Sequence, residues 1–265
     1  MPDILFDRRP GALVVTLNRP ESRNTVSQEM TREFYAQLLA IEHDPSVRCV
    51  LLRGAGDHFM AGGDVKNFSG TLDLSPEERR AQFEARVHAL TPFLLLLERM
   101  PQIFVCAVRG ACAGVGLSWV AAADLAIASK TAFFLQAQIK IACTPDGGGS
   151  YWPVRAVGLK RAKEIALLGE RFSAEEAAAW GLINRVVEDA QLDAEADKLV
   201  ERLAAGSANA LARTKRLVNA ALDNDYATQL AQEAIGFSTC ASEPDFAEGI
   251  RSFLEKRPPR FGQGG

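Results

Sequence analysis

Short apolar runs alternate with amphipathic stretches over the first two-thirds of the chain, and beyond them only the helical period persists. Residues 4–6 and 12–17 read as two strands around the turn Arg9-Pro10-Gly11. Ser27 opens a helix that runs to about His43, with Met30, Phe34, Leu38 and Ile41 on one face, and Asp44-Pro45 closes it. Residues 47–52 and 103–108 are apolar and β-branched enough to be buried strands, and 125–128 and 132–135 are strand-like too. The segment 71–77 is polar and irregular and is expected to be mobile. Ser75-Pro76-Glu77-Glu78 then gives a helix start, with Ser as cap, Pro in the first turn and acid behind it. That helix runs past Leu97, with a break expected at Pro92. From Lys160 the pattern is mainly helical, interrupted by a short strand at 184–187, and the tail from about Asp193 is all helix. Alternation of strands and helices up to about residue 190 predicts an α/β layer fold with a helical appendage.

Two of the apolar runs end in glycine-punctuated turns: Phe59-Met60-Ala61-Gly62-Gly63-Asp64 and Gly110-Ala111-Cys112-Ala113-Gly114-Val115-Gly116. Each lies between a strand and a helix. Small residues there let backbone N–H groups come close to a ligand, and two such turns can direct two donors at one oxygen. A third glycine loop, Thr144-Pro145-Asp146-Gly147-Gly148-Gly149, carries a carboxylate.

Bulk composition narrows the chemistry. The chain has 265 residues, 48% hydrophobic and 24% charged, which is ordinary for a globular protein. A formal charge of −3 argues against a nucleic-acid or membrane-surface binder, while leaving room for a local basic patch facing a phosphorylated ligand. The five cysteines (Cys49, Cys106, Cys112, Cys143 and Cys240) form no C-x-x-C pair, and the three histidines have no paired spacing. Free thiols and no metal site are therefore expected. Met1-Pro2-Asp3-Ile4-Leu5 shows no secretion signal and no apolar run reaches about 18 residues, so a cytoplasmic protein without a membrane span is expected.

The order and spacing of several short motifs resemble the crotonase superfamily of enoyl-CoA hydratases and isomerases. They are Leu17-Asn18-Arg19-Pro20, Phe59-x-Ala-Gly-x-Asp64, Gly110-x-x-x-Gly-x-Gly116, Ala123-Asp124-Leu125-Ala126-Ile127-Ala128 and Gly158 with Leu167-Leu168-Gly169. Ala177-x-x-x-Gly181-Leu182-Ile183 and Phe253-Leu254-Glu255-Lys256-Arg257 complete the set. The resemblance covers about residues 4 to 262. It implies a β-β-α spiral core over 1–195, a C-terminal all-helical trimerisation region over 196–265, and a homotrimer or dimer of trimers. It implies acyl-CoA thioesters as substrates, with coenzyme A present only as part of the substrate and no separate cofactor. The family's two oxyanion donors fall on the amides of Gly63 and Val115, where a Val replaces the usual Gly or Ala. Arg23 and the backbone of Ala61 fall where relatives contact coenzyme A. Phe253 and Lys256 match tail residues that reach a neighbouring subunit's nucleotide.

The same resemblance places the two glutamates of the hydratases at positions 118 and 138, which here are Ser118 and Gln138. Water addition by paired carboxylates loses both its groups. Asp146 then becomes the candidate base, as in isomerases of phenylacetate breakdown, or a nucleophile, as in the 4-chlorobenzoyl-CoA dehalogenases. The dehalogenases also need a Trp where Gln138 stands and a His about three residues from His88, so the isomerases are the nearer match. Phe133, Phe134 and Trp152 are either apolar walls around Asp146, raising its basicity, or plain core. Asp64, Ser118, Gln138 and Trp152 join Arg23, Ala61, Phe253 and Lys256 as expected substrate contacts, though several of these residues have simpler readings. Asp146 suits a glycine turn, Asp64 suits a helix cap, Asp124 suits a satisfied buried carboxylate, and Ser118 suits tight packing. The function that follows is enoyl-CoA double-bond isomerisation. A hydratase, an acyl-CoA hydrolase or dehalogenase, and a non-catalytic acyl-CoA binder remain as alternatives.

Overall fold

In the computed structural model, which describes residues 1–262, the apolar runs build one sheet whose two faces are both covered. β1 (Ile4–Arg9) and β2 (Gly11–Leu17) form an antiparallel hairpin. The chain then runs through α1 (Gln28–Ile41), capped by the Ser27 hydroxyl, into β3 (Val47–Gly54), parallel to β2. Next come α2 (Val65–Ser69), α3 (Pro76–His88) and α4 (Thr91–Arg99), then β4 (Ile103–Val108). The long helix expected after Ser75 is thus two helices. The break falls at Ala89 and Leu90, and Pro92 sits in the first turn of the second helix, where its missing N–H is harmless.

From β4 the chain alternates between two sheets. β5 (Ala111–Ala113) enters a second sheet, α5 (Val115–Ala122) returns, and β6 (Leu125–Ser129) rejoins the first. β7 (Phe133–Leu135) goes back to the second sheet. It is followed by α6 (Trp152–Leu168), β8 (Phe172–Ser173), α7 (Ala174–Ala179) and β9 (Arg185–Val187). The first sheet has the order β1-β2-β3-β4-β6-β9 and the second β5-β7-β8. This strand-strand-helix spiral is the core that the resemblance implies. β5 was not visible as a strand in the sequence, because three small residues inside a glycine turn carry no period.

Alternate residues of β2, β3 and β4 face opposite ways. Leu13, Val15, Val50, Leu52, Phe104 and Cys106 join α1, α4 and α5, where Phe34, Phe93 and Trp119 cluster with ring centroids 4.9 to 6.3 Å apart. Ala12, Val14, Cys49, Leu51, Ile103 and Val105 face Leu192, Ala196 and Val200 of α8 (Leu192–Ala204). α8 therefore spans residue 195 and closes the core. α9 (Ala208–Ala220), α10 (Tyr226–Ala241) and α11 (Pro244–Leu254) extend beyond it. Cys49, Cys106 and Cys112 are buried free thiols, and burial pushes the Cys49 thiol up to about 12, so it stays protonated. No helix among the described residues is long and apolar enough to cross a membrane.

A single buried cation ties the helical tail to the spiral. Lys215 of α9 is 8% exposed, and its ammonium meets Asp124 at 2.8 Å and the carbonyls of Leu97 and Gln102 at 3.1 Å each. Its three protons thus have three acceptors. Asp124 also accepts the Phe104 N–H at 2.7 Å, so it is a satisfied buried carboxylate. Burial raises its pKa, and Lys215 pulls it back down. Lys215→Met leaves Asp124 buried without its cation and is expected to lower unfolding stability by about 3–5 kcal/mol, read by urea denaturation. The sign with pH follows from linkage. A raised carboxyl pKa means the folded state holds the proton more tightly, so stability falls as pH rises through the gap between the two states. In the variant that gap widens, so its deficit relative to wild type is expected to shrink as pH is lowered toward about 4.

Candidate active site

The two glycine turns are laced together by backbone. Phe59 N–H donates to Arg109 C=O (2.7 Å), Met60 N–H to Ala111 C=O (3.0 Å), and Ala113 N–H back to Met60 C=O (2.8 Å). Gly116 must be glycine for this approach, because a Cβ there would lie 2.8 Å from the Met60 carbonyl oxygen. Two side chains, buried Asn24 and half-buried His58, brace the arrangement. Asn24 accepts the Arg19 N–H and donates to the carbonyls of Ala55 and His58, and His58 Nδ1 accepts the Ala111 N–H at 3.1 Å. His58 is therefore structural.

Just beyond this ladder lie the two candidate donors. Val26 N–H takes the Gly62 carbonyl at 2.9 Å, which leaves the N–H on the other side of that trans peptide, that of Gly63, facing away. Val115 is the first residue of α5, where an amide has no partner within the helix. Neither amide has an acceptor among the described residues. Both residues line one cleft of about 140 Å³.

Asp146 reaches the same cleft. Its loop follows the 3-10 turn Ala137–Ile141 and bends through left-handed Gly147 (φ 59°) and Gly148 (φ 87°). A Cβ on Gly147 would lie 2.7 Å from Val115 Cγ2, so the third loop packs directly on the residue that supplies the second amide. The side chain that departs from the family pattern at 115 thus meets this loop as well as the cleft. Gln138 Nε2 donates to Asp146 Oδ1 at 2.8 Å, and Ser118 Oγ donates to the Asp146 carbonyl at 2.9 Å. Ser118 does more than fill space: it and Gln138 together fix the loop and one carboxylate oxygen. The second oxygen, Oδ2, is not held by them.

The remaining candidates divide. Ala61 lines the cleft, and its N–H donates at 3.0 Å to the carbonyl of exposed Arg23, which does not itself line the cleft. Asp64 caps α2 through the Asn67 N–H, at 3.4 Å, and pairs with Arg19, also at 3.4 Å; it does not line the cleft. Phe134 is a core residue stacked on Phe172, while half-buried Phe133 lies with its ring under Arg171, and neither lines the cleft. Trp152 lies in a separate recess of about 670 Å³ beside α9, with Asp124, Arg155 and Lys215. The apolar walls are instead Val26, Val65, Phe68, Leu90, Val115 and Ile141. Phe253 and Lys256 sit exposed at the end of α11, outside the cleft of this protomer.

Sequence reasoning missed Arg86 and Leu90, which line the cleft from α3 and its exit. The available signal was the spacing Phe83, Arg86, Leu90, which puts an arginine on the inner face of a helix. It also expected 71–77 to be mobile. In the fold, Arg79 holds that segment by donating to the carbonyls of Thr71 (3.1 Å), Leu72 (3.0 Å) and Leu74 (2.9 Å).

The chain is similar to known proteins over nearly its whole length. The family model described as enoyl-CoA hydratase/isomerase matches residues 7–264. The 1,2-epoxyphenylacetyl-CoA isomerase of Escherichia coli K12 is 35% identical over 261 residues, covering 98% of both chains. A probable enoyl-CoA hydratase of Rhodobacter capsulatus is also 35% identical, over 258 residues and 97% of both chains. The crystal structure of an enoyl-CoA hydratase from Polaromonas sp. JS666 superposes with a TM-score of 0.90 at 32% identity, covering 97% of this chain and 99% of that one. With two free amides facing a cleft on a spiral of this topology, and a family match over nearly its whole length, the chain belongs to the enoyl-CoA hydratase/isomerase family of the crotonase superfamily, enzymes of acyl-CoA thioesters.

Proposed function

We propose that the protein is an enoyl-CoA isomerase that moves a double bond from C3 to C2, with Asp146 as the proton-transfer base. The observation that carries this reading is the single carboxylate in the cleft, anchored by Gln138 and Ser118 at the positions where hydratases carry glutamates. The thioester oxygen sits between the Gly63 and Val115 amides. Asp146 Oδ2 removes a proton from C2, the negative charge collects on the thioester oxygen as a dienolate, and the same proton returns at C4. Proton count balances within one substrate, so the reaction needs no cofactor beyond the coenzyme A that the substrate carries. Each preorganised amide contributes on the order of 3 kcal/mol to holding that charge, and the positive N-terminal end of α5 adds to it. A ring-modified phenylacetyl-CoA is an alternative substrate for the same proton transfer.

Arg23 and Ala61 are proposed to meet coenzyme A at the rim of the cleft. A homotrimer or dimer of trimers is supported by exposed apolar side chains on the tail helices, among them Ile235, Phe237, Ile250, Phe253 and Leu254. In that assembly Phe253 and Lys256 would act on a neighbour's nucleotide. Sedimentation velocity reads the oligomeric state directly, and a monomer at micromolar concentration would remove this part of the reading.

Incubation with cis-3-hexenoyl-CoA and, separately, crotonyl-CoA in heavy-oxygen water tests the reaction. Conversion of the 3-enoyl to the 2-enoyl thioester without oxygen-18 uptake is the expected result, whereas label at C3 of the product establishes a hydratase. Asp146→Asn is expected to lower kcat/KM for isomerisation about 10²–10⁴-fold; unchanged turnover assigns the base elsewhere. Gln138→Leu leaves the carboxylate in place but unheld. Its kcat is expected to fall about tenfold with KM within about threefold, the pattern of a lost positioning contact.

A further inference from the structure

Arg86 is a cation in the cleft that the isomerisation itself does not use. It sits in the last turn of α3, half-buried, with its guanidinium carbon 4.8 Å from the centroid of the Phe68 ring. Phe68 is held edge-on by Phe83, at 5.1 Å and 84°. The tip of the same ring, Cζ, lies 3.3 Å from where a Cβ on Gly63 would be. Arg86 is therefore fixed one aromatic ring away from a candidate oxyanion amide, on the wall that Leu90 continues.

Its donors are unused. Arg86 makes no hydrogen bond and no ion pair among the described residues. Asp64 and Asp146 act on it as charges at longer range, and the largest influence on it is loss of water, which lowers its pKa. A guanidinium does not give up its proton in a protein, so the charge is kept and is only partly solvated. A helix C-terminus favours a cation, but a solvent-facing arginine would serve that purpose without losing water. Its guanidinium, beside an aromatic face on the wall of the cleft and without an acceptor among the described residues, is free to bind one on a ligand.

We propose that Arg86 sets substrate specificity by binding a second, hydrogen-bond-accepting oxygen on the acyl group, beyond the thioester. This rests on the cleft being the acyl-CoA site. The substrate class is then an oxygenated acyl-CoA, either a dicarboxylic monothioester or one carrying a neutral oxygen such as a ketone. A plain hydrocarbon chain would leave the guanidinium desolvated and unpaired, which disfavours it.

Binding, rather than turnover, separates this proposal from the isomerase assignment. Titration calorimetry with hexanoyl-CoA, 5-oxohexanoyl-CoA and adipoyl-CoA would compare wild type, Arg86→Met and Arg86→Lys, each checked for fold by circular dichroism. Wild type is expected to bind at least one oxygenated thioester about tenfold more tightly than hexanoyl-CoA. That preference should fall to within about twofold in Arg86→Met and be kept in part by Arg86→Lys, which retains the charge but not the fork. The better of the two oxygenated ligands identifies the neutral or the anionic class. Wild type binding hexanoyl-CoA as tightly as both would overturn the proposal, as would a preference that survives Arg86→Met. If the preference is found and neither 3-hexenoyl-CoA nor the 3-enoyl thioester carrying the preferred oxygen is isomerised, the specificity stands and the reaction assignment falls. If no CoA thioester binds, both fall.

Discussion

Two backbone hydrogen bonds, from Met60 N–H to Ala111 C=O and from Ala113 N–H to Met60 C=O, hold the site together. They bring the end of one strand-turn segment against the start of another that is about fifty residues away in sequence. Both candidate amides lie a few residues past this ladder, so their separation follows from backbone pairing rather than from side-chain choice. This is why small residues crowd these turns. A Cβ at Gly116 would collide with the Met60 carbonyl, and one at Gly147 with Val115. Oxyanion stabilisation depends on donors that do not need to reorganise as charge develops. A ladder within a buried core supplies that rigidity at no side-chain entropy.

The reactive group is placed by a different route. Asp146 lies on a loop with little regular structure, and loops are where proteins vary function over a constant frame. The loop is nonetheless held at three points: the Ser118 hydroxyl on its backbone, the Gln138 amide on its carboxylate, and Gly147 against Val115. Ser118 belongs to α5, the helix whose first amide is the second oxyanion donor. Base and oxyanion site therefore share one rigid element, and neutral residues at 118 and 138 leave the cleft with one carboxylate. Two more carboxylates there would repel each other and Asp146.

Much of this was legible before any fold was known. The buried strands, the Ser27 and Ser75 caps, the role of Asp64 as a cap and Asp124 as a satisfied carboxylate all followed from local pattern and local chemistry. β5 did not, since its three residues take strand geometry only because β7 and Met60 pair with them. The helical pattern read from Lys160 is the second segment of α6; the first, from Trp152, was not read, because Gly158 (φ 76°) is non-helical and splits the period. Phe133, Phe134 and Trp152 were open between apolar walls and plain core: Phe134 is core, Phe133 packs under Arg171, and Trp152 lies against Gly148 of the loop but lines the recess beside α9 rather than the cleft. Arg86 was missed because an arginine on a helix is ordinarily solvated; its spacing with Phe83 and Leu90 was the signal for an inner face, and α3 packs that face over Phe68.

The tail is coupled to the site through the start of β4. Lys215 of α9 grips the carbonyls of Leu97 and Gln102, while its partner Asp124 holds the Phe104 N–H. These contacts fix where α4 ends and where β4 enters the sheet. Five residues beyond Phe104, at Arg109, the strand delivers the carbonyl that accepts Phe59 N–H and so starts the ladder between the two turns. A buried ion pair is a weak source of net stability, because desolvation offsets most of its attraction. Its geometric effect is larger. An ammonium with three fixed acceptors admits one register between helix and strand, and the position of the oxyanion amides depends on that register.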